Sequence, residues 1–309
     1  MEDLYVIEQG CTLKKLDQQI LITKGGMKID SIPIFKIDKI LLFGNQQITS
    51  QALNLAFEYG VDVLFLSYTG KLKGKLSSIN SKNIYLKLSQ YETWKDKQKR
   101  LDISRKIVKA KIWNQYMLLK KYNISEMSLL EQMKKIDIVN DIENIMGYEG
   151  AASKIYFDKF KILIPNNFVF DGRNRRPPKD EVNALLSLTY TLLLNKIISE
   201  VDKNGLEGNI GFLHSIKYGR ESLALDLLEP FRQYFCDAFV LKLLRRKELV
   251  KEDFESRDDG IFLTELAFRK YINKFKTESS KIDEDIREQV IQIKKHILGE
   301  GDYKPMMRK

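Results

Sequence analysis

The stretch EVNALLSLTYTLLLNKIISEVDKNG, residues 181–205, constrains the fold most strongly. It has helical spacing and is apolar on almost every side, so it must be enclosed by other protein elements. A chain built around such a helix needs a sizeable helical domain to cover it. The first eighty residues read differently. DLYVIE, QQILIT, MKID and KILLF are short and rich in β-branched or aromatic residues, with KGG and GN supplying turns. TSQALNLAFEYG predicts one helix, capped by Thr49 or Ser50 and closed by Gly60. VDVLFLS predicts a strand buried on both faces. The expectation is an α+β chain: a small β-rich N-terminal domain with one helix over residues 1–90, then a larger all-α domain over 91–309.

Charge narrows the partners. Residues 71 to 122 hold fifteen Lys and Arg against Glu92, Asp96 and Asp102, a local balance of +12. The whole chain carries +10, so the remainder nets about −2 by subtraction. A concentrated basic stripe suits a polyanion, although a solvated lysine face has the same composition. The periodicity of residues 91–122 predicts one amphipathic helix, with Trp94, Leu101, Val108, Ile112 and Leu119 inward and Lys95, Lys99, Lys106 and Lys109 outward. The start, MEDLYVIEQG, lacks a basic-then-apolar leader, and no run of eighteen apolar residues occurs; the expectation is a cytoplasmic protein with no membrane span.

Cofactor chemistry is bounded by a short inventory. Cys11 and Cys236 are the only cysteines and His214 and His296 the only histidines, so a clustered zinc site has no starting pair. His296 lies in the lysine-flanked KKHILGE, which reads as a surface helix. Nucleotide-binding glycine loops are absent. A metal would have to lean on carboxylates, which favours Mg²⁺ or Mn²⁺. Two stretches offer them. In GYEGAASKIYF, Glu149 stands among residues trimmed to glycine and alanine, leaving space for something bulky to approach. In GFLHSIKYGRESLALDLLEPFR, Asp226 and Glu229 share a helix face in apolar surroundings, His214 precedes them, and Pro230 predicts a bend. A cation would relieve both acids. Pairing with Arg220 or Arg232 in a purely structural helix would do the same.

Taken together, these blocks resemble the CRISPR-associated spacer integrases, the DNA nucleases of the adaptation step in prokaryotic immunity. GYEGAASKIYF resembles that family's glutamate-bearing helix, and FDGRNRRPPKDEVNALLSLTYTLL its basic loop and long helix. GFLHSIKYGRESLALDLLEPFR resembles its histidine and acid block, and DFESRDDGIFLTELAFRKYINKF its C-terminal block. The resemblance implies Glu149, His214 and Glu229 as ligands of Mg²⁺ or Mn²⁺, with Asp226 beside them as a further catalytic group. It implies phosphoryl transfer on double-stranded or branched DNA, with Arg173, Arg175, Arg176, Lys217, Arg220, Lys95, Lys99 and Lys106 holding phosphates. It also implies a homodimer paired through the front domains, and a small companion adaptation protein bridging two such dimers. A branched-DNA nuclease that never joins ends, or an architectural DNA-binding subunit, are the rival readings.

Overall fold

The computed structural model describes residues 1–78, 83–174, 177–257 and 259–308. They form two compact units, Met1–Lys82 and Asn83–Lys309. The division falls somewhat before the expected residue 90, at the point where Asn83 starts a helix by accepting the backbone N–H of Tyr85 (3.1 Å) and Leu86 (3.3 Å) on its side chain.

The first unit is two small sheets and one helix. Its elements are β1 (Glu2–Val6), β2 (Cys11–Leu16), β3 (Gln19–Lys24), β4 (Met27–Pro33), β5 (Ile37–Phe43), β6 (Gln47–Ile48), α1 (Ser50–Glu58), β7 (Asp62–Leu66) and β8 (Leu72–Leu76). One sheet runs β1-β5-β7-β8, parallel except for β8. The other runs β4-β3-β2-β6, with two antiparallel hairpins and β6 parallel to β2. Leu13, Ile20, Ile40, Leu42, Leu55 and Val63 fill the core. Val61, Val63, Leu64 and Leu66 are all buried, so both faces of β7 are covered, which explains why VDVLFLS has no polar alternation; β5 and β8 pair its two edges. Thr49 caps α1 by accepting the Ala52 N–H at 3.3 Å, and Gly60 closes it with φ +67°. The sequence reading passes over β8, whose LKGKL is too polar to stand out. It is held at the sheet edge by pairing with β7, where Lys75 also meets Asp62 at 3.0 Å.

The second unit is mostly helical. It contains α2 (Ile84–Lys95), α3 (Lys97–Lys121), α4 (Met127–Lys135), α5 (Ile142–Phe160), α6 (Glu181–Lys203), α7 (Ser222–Phe231), α8 (Ala238–Arg245), α9 (Glu265–Ser279) and α10 (Asp283–Ile297). A wide π-helical turn, Arg232–Asp237, joins α7 to α8. Two expectations are corrected. The helix foreseen over residues 91–122 is two helices, because the Asp96 carboxylate caps α3 through the N–H groups of Gln98 (2.9 Å) and Lys99 (3.1 Å). The domain is also not wholly α: β9 (Phe254–Arg257) and β10 (Gly260–Leu263) form an antiparallel hairpin, too short to register as alternation in the sequence.

α6 is the central helix, as its composition requires. By length and apolarity it could cross a bilayer, but 72% of its apolar window is buried inside the protein. Cys11 and Cys236 are buried in different units and form no disulfide.

The end of the described chain completes the interior. Tyr303 is buried, and residues 304–308 are strapped across α3 and α10 by side chains that bond to their backbone. Gln289 donates to the Lys304 carbonyl at 3.1 Å and accepts the Met306 N–H at 3.0 Å. Asn114 donates to the Met306 carbonyl at 2.9 Å and accepts the Arg308 N–H at 2.7 Å, while Trp113 donates to the Arg308 carbonyl at 2.8 Å.

Candidate metal centre

Three helices bring charged side chains to one place. Glu149 projects from α5, Glu229 from α7, and between them stands Lys111 of α3. Its ammonium meets Glu229 Oε2 at 2.6 Å and also pairs with Glu149 Oε1. Ser153, one turn on in α5, donates to the same Glu149 oxygen at 2.8 Å. The other Glu229 oxygen lies 3.0 Å from Nε of Arg232. The Arg232 guanidinium stands 4.4 Å from the centroid of the Tyr190 ring, a cation–π arrangement contributed by α6.

These contacts settle the ionisation. Burial alone would raise the Glu229 carboxyl, but the charges of Arg232 and Lys111 outweigh it and hold Glu229 far below the usual carboxylate range. Burial pulls Lys111 down, and the two glutamates more than reverse it. Glu229 is therefore an anion and Lys111 a cation at neutral pH. The pairs are close but poorly directed. Glu229 Oε2 and Arg232 Nε are buried without hydrogen-bond geometry to any partner, and so is Oε1 of the adjacent Gln233. Such atoms are uncommon, and three of the eight among the described residues fall in the one short stretch from Glu229 to Gln233.

His214 and Asp226 form the neighbouring half of the site. Asp226 is fully buried. One oxygen accepts the N–H of Phe212 (2.5 Å) and Leu213 (3.0 Å); the other accepts the N–H of His214 (2.9 Å) and meets its ring Nδ1 at 2.7 Å. With both oxygens occupied, Asp226 fixes the loop before α7 and orients the imidazole, leaving Nε2 as the ring nitrogen free to take a cation. Pro230 brings the expected irregularity. It lacks the N–H that the Asp226 carbonyl would receive, α7 widens into the π turn two residues later, and the Pro230 carbonyl takes a bond from Asn114 at 2.8 Å.

The residue set suits a hard divalent ion. Two carboxylates from separate helices converge on one cationic group, a carboxylate oxygen there lacks a directed donor, and an imidazole oriented by Asp226 stands in the neighbouring half of the site. The helix surface beside Glu149 is open: a Cβ added at Gly147 or Gly150 would meet nothing within 4 Å. Among the described residues, ligand-type atoms within 4.8 Å of one another occur elsewhere, at Asp102, His296 and Asp302; Glu149, His214 and Glu229 do not draw together to that degree, with the Lys111 ammonium standing between the two glutamates. There too a lysine stands between the acids: Lys106 is 2.7 Å from Asp102 and 2.5 Å from Asp302.

The residues expected to hold DNA are variously placed. Lys95 and Lys99 are exposed, with Lys95 at 5.3 Å from the centroid of the Tyr91 ring. Lys106 is engaged by its two aspartates, and Lys109 by Asp137 at 2.7 Å. Lys217 lies exposed in the loop after His214, beside the fully exposed Tyr218, and Arg220 is half-buried. Arg173 bonds to Asn183 and stands 5.2 Å from the Tyr190 ring centroid, so it anchors its loop to α6. Arg175 and Arg176 lie outside the described residues.

Sequence reasoning passed over Lys111, which is hidden among the other lysines of the basic stripe. The one usable signal was its face, shared with the apolar Ile107, Val108 and Leu118. It also passed over Asp237, a buried carboxylate that accepts from Tyr190 (2.5 Å), Tyr156 (2.9 Å) and Gln233 (3.1 Å). Burial pushes Asp237 up, against those bonds and the charge of Arg173.

Comparison with known proteins agrees with the resemblance drawn from the four sequence blocks. The family model described as CRISPR associated protein Cas1 matches residues 4–277. A CRISPR-associated endonuclease Cas1 of Thermus thermophilus is 32% identical over 274 residues, covering 87% of this chain and 80% of its own. A solved CAS1 protein from Thermotoga maritima superposes with a TM-score of 0.90 at 25% identity, over 98% of this chain and 99% of that one. A casposase bound to an integration product shares the fold, with a TM-score of 0.89 at 23% identity over 100% and 95% of the two chains. With the family model running through both units and a relative above 30% identity across most of the length, the chain belongs to the CRISPR-associated Cas1 family.

Proposed function

We propose that this chain is an endonuclease and integrase of CRISPR adaptation, which inserts short foreign DNA fragments into a repeat array by metal-assisted phosphoryl transfer. One observation carries the proposal: Glu149 and Glu229, from different helices, meet at a single cationic position beside a histidine oriented by Asp226. Glu149, Glu229 and Nε2 of His214 would hold Mg²⁺ or Mn²⁺. Such an ion, when bound, supplies Lewis-acid polarisation of a non-bridging phosphate oxygen.

The remaining work belongs to the chain's own groups. Asp226 keeps the imidazole in one orientation and, with every oxygen engaged, is a positioning residue and not a proton acceptor. Arg232 keeps Glu229 ionised. Exposed Lys95, Lys99 and Lys217, with Arg220 and the loop arginines, would hold backbone phosphates by charge-assisted bonds. The attacking group is the 3′-hydroxyl of the incoming fragment for joining, or water for cleavage, and no protein nucleophile is needed. The assembly that suits this reading is a cytoplasmic homodimer working with a small companion adaptation protein on double-stranded or branched DNA.

Glu149→Ala and His214→Ala should each abolish Mn²⁺-dependent strand transfer of a short duplex into a supercoiled plasmid carrying a repeat array, while DNA affinity is retained. Full activity of either variant in excess Mn²⁺ would remove the site from the reaction. Nicked or linear products without joined fragments from the wild type would favour the branched-DNA nuclease. Binding with no strand chemistry in Mg²⁺ or Mn²⁺ would favour the architectural subunit.

A further inference from the structure

Lys111 is a costly residue to place where it lies. α3 carries seven other lysine or arginine side chains from Lys97 to Lys120, all exposed or half-buried, whereas Lys111 is buried on the helix face it shares with Ile107, Val108 and Leu118. A buried ammonium is tolerated only when it is paired. Here the pairing is with the two glutamates proposed as metal ligands, and Arg232 adds a second buried cation to Glu229.

The charges of this cluster cancel. Two carboxylates face one ammonium and one guanidinium, so it is neutral before any metal arrives. A divalent ion entering it would leave two surplus positive charges in a largely buried place, which is unfavourable in low dielectric. The surplus is reduced if Lys111 withdraws from the glutamates, and the natural destination for its ammonium is an anion arriving at the solvent edge of the cluster, where the Glu149 side chain is 22% exposed. A DNA phosphate is such an anion.

We propose that Lys111 is a resident counter-cation that makes metal loading conditional on DNA: its ammonium holds Glu149 and Glu229 together in the metal-free protein and transfers to a backbone phosphate when the divalent ion binds. The inference rests on the metal-site reading above. Metal and DNA then bind cooperatively, each raising the affinity of the other by the same factor. An apolar residue of similar length at position 111 removes the competitor, so metal binds tightly without DNA and the cooperativity is lost.

The test is calorimetric titration of Mn²⁺ into wild type, Lys111→Met and Lys111→Arg, each with and without a short DNA duplex. The expected result is a gain in wild-type Mn²⁺ affinity of about tenfold or more with DNA. Lys111→Met should bind Mn²⁺ at least about tenfold more tightly than wild type without DNA and gain little from DNA. Lys111→Arg should keep the cooperativity. Equal or weaker Mn²⁺ binding by Lys111→Met in the absence of DNA overturns the role of Lys111 and leaves the metal site standing. No Mn²⁺ binding by wild type under either condition overturns both. Should Lys111→Met fold only with Mn²⁺ present, that rescue supports the competition. Should it not fold at all, the wild-type Lys111 ammonium resonance, assigned by its loss in Lys111→Arg, decides. It should move when Mg²⁺ and duplex are added together, and an unchanged resonance overturns the proposal.

Discussion

α3 carries two lysines five residues apart that do the same thing in opposite surroundings. Lys106 bridges Asp102 and Asp302 near the surface, with its aspartates about half exposed. Lys111 bridges Glu149 and Glu229 inside the helical unit, with Glu229 almost completely covered. In the first case water can replace any partner, so the arrangement is held loosely. In the second, each charge depends on the others, because Lys111, Glu229 and Arg232 are shut off from water and only Glu149 keeps part of its surface in solvent. The difference separates a clasp that ties the terminal segment to α3 from a charge balance on which chemistry can be built. Residue types alone would not tell them apart; the sheltered pair has the poorly directed oxygen, the oriented imidazole and the open helix face beside it.

Three substitutions would break or sharpen this contrast. The largest effect is expected at the sheltered pair. Glu229→Gln strands Lys111 and Arg232 with only Glu149, and should lower stability by about 3–5 kcal/mol in urea unfolding with EDTA present. An effect below about 1 kcal/mol would mean the two lysine bridges are equivalent. An intermediate effect is expected from Asn114→Ala, one turn beyond Lys111 on the same helix. It removes a neutral buried side chain that serves the carbonyls of Pro230 and Met306, and should cost about 1–3 kcal/mol by the same measurement. The smallest effect belongs to Asp302→Asn, expected within about 1 kcal/mol and shrinking with added salt. Its sign is set by protonation. The hydrogen bond from Lys106 holds Asp302 below its ordinary value of 3.8, so its contribution is complete above that pH and is lost as acid protonates the folded form. Thermal melts of wild type and Asp302→Asn should therefore diverge slightly near neutrality and converge at low pH.

Much of this molecule could be read from its sequence where one rule dominates locally. The periodicity of residues 181–203 and the continuous apolar run of β7 pointed to a central helix and a doubly covered strand, because burial on every side leaves no polar face. Turn chemistry marked α1 at both ends. Legibility failed where a local signal competed with a longer one. Asp96 is one acid in a long amphipathic pattern, yet its capping bonds outweigh the pattern and split the helix. Glu149, His214, Asp226 and Glu229 were visible as chemistry-bearing types, and Arg232 as a possible partner. Lys111 was not, since a lysine surrounded in sequence by lysines looks like surface until the fold decides which way it points. Asp237 was hidden for the converse reason: its partners Tyr156 and Tyr190 come from other helices, and no spacing rule connects them.

The wide turn at Arg232–Asp237 has a consequence for how this region tolerates change. Each residue advances an α-helix by about 100°. The turn thus offsets the phase of everything after it, so that Glu229 upstream and Asp237 downstream can answer to different neighbours from one continuous rod. Deleting a single residue here would keep the composition, the length of the rod to within about 1.5 Å and its apolar character, yet swing Asp237 away from its tyrosines. Insertions and deletions in this short segment should be far less forgiving than substitutions, and a chimera joined within it would fail through misaligned phase, with every individual side chain still present.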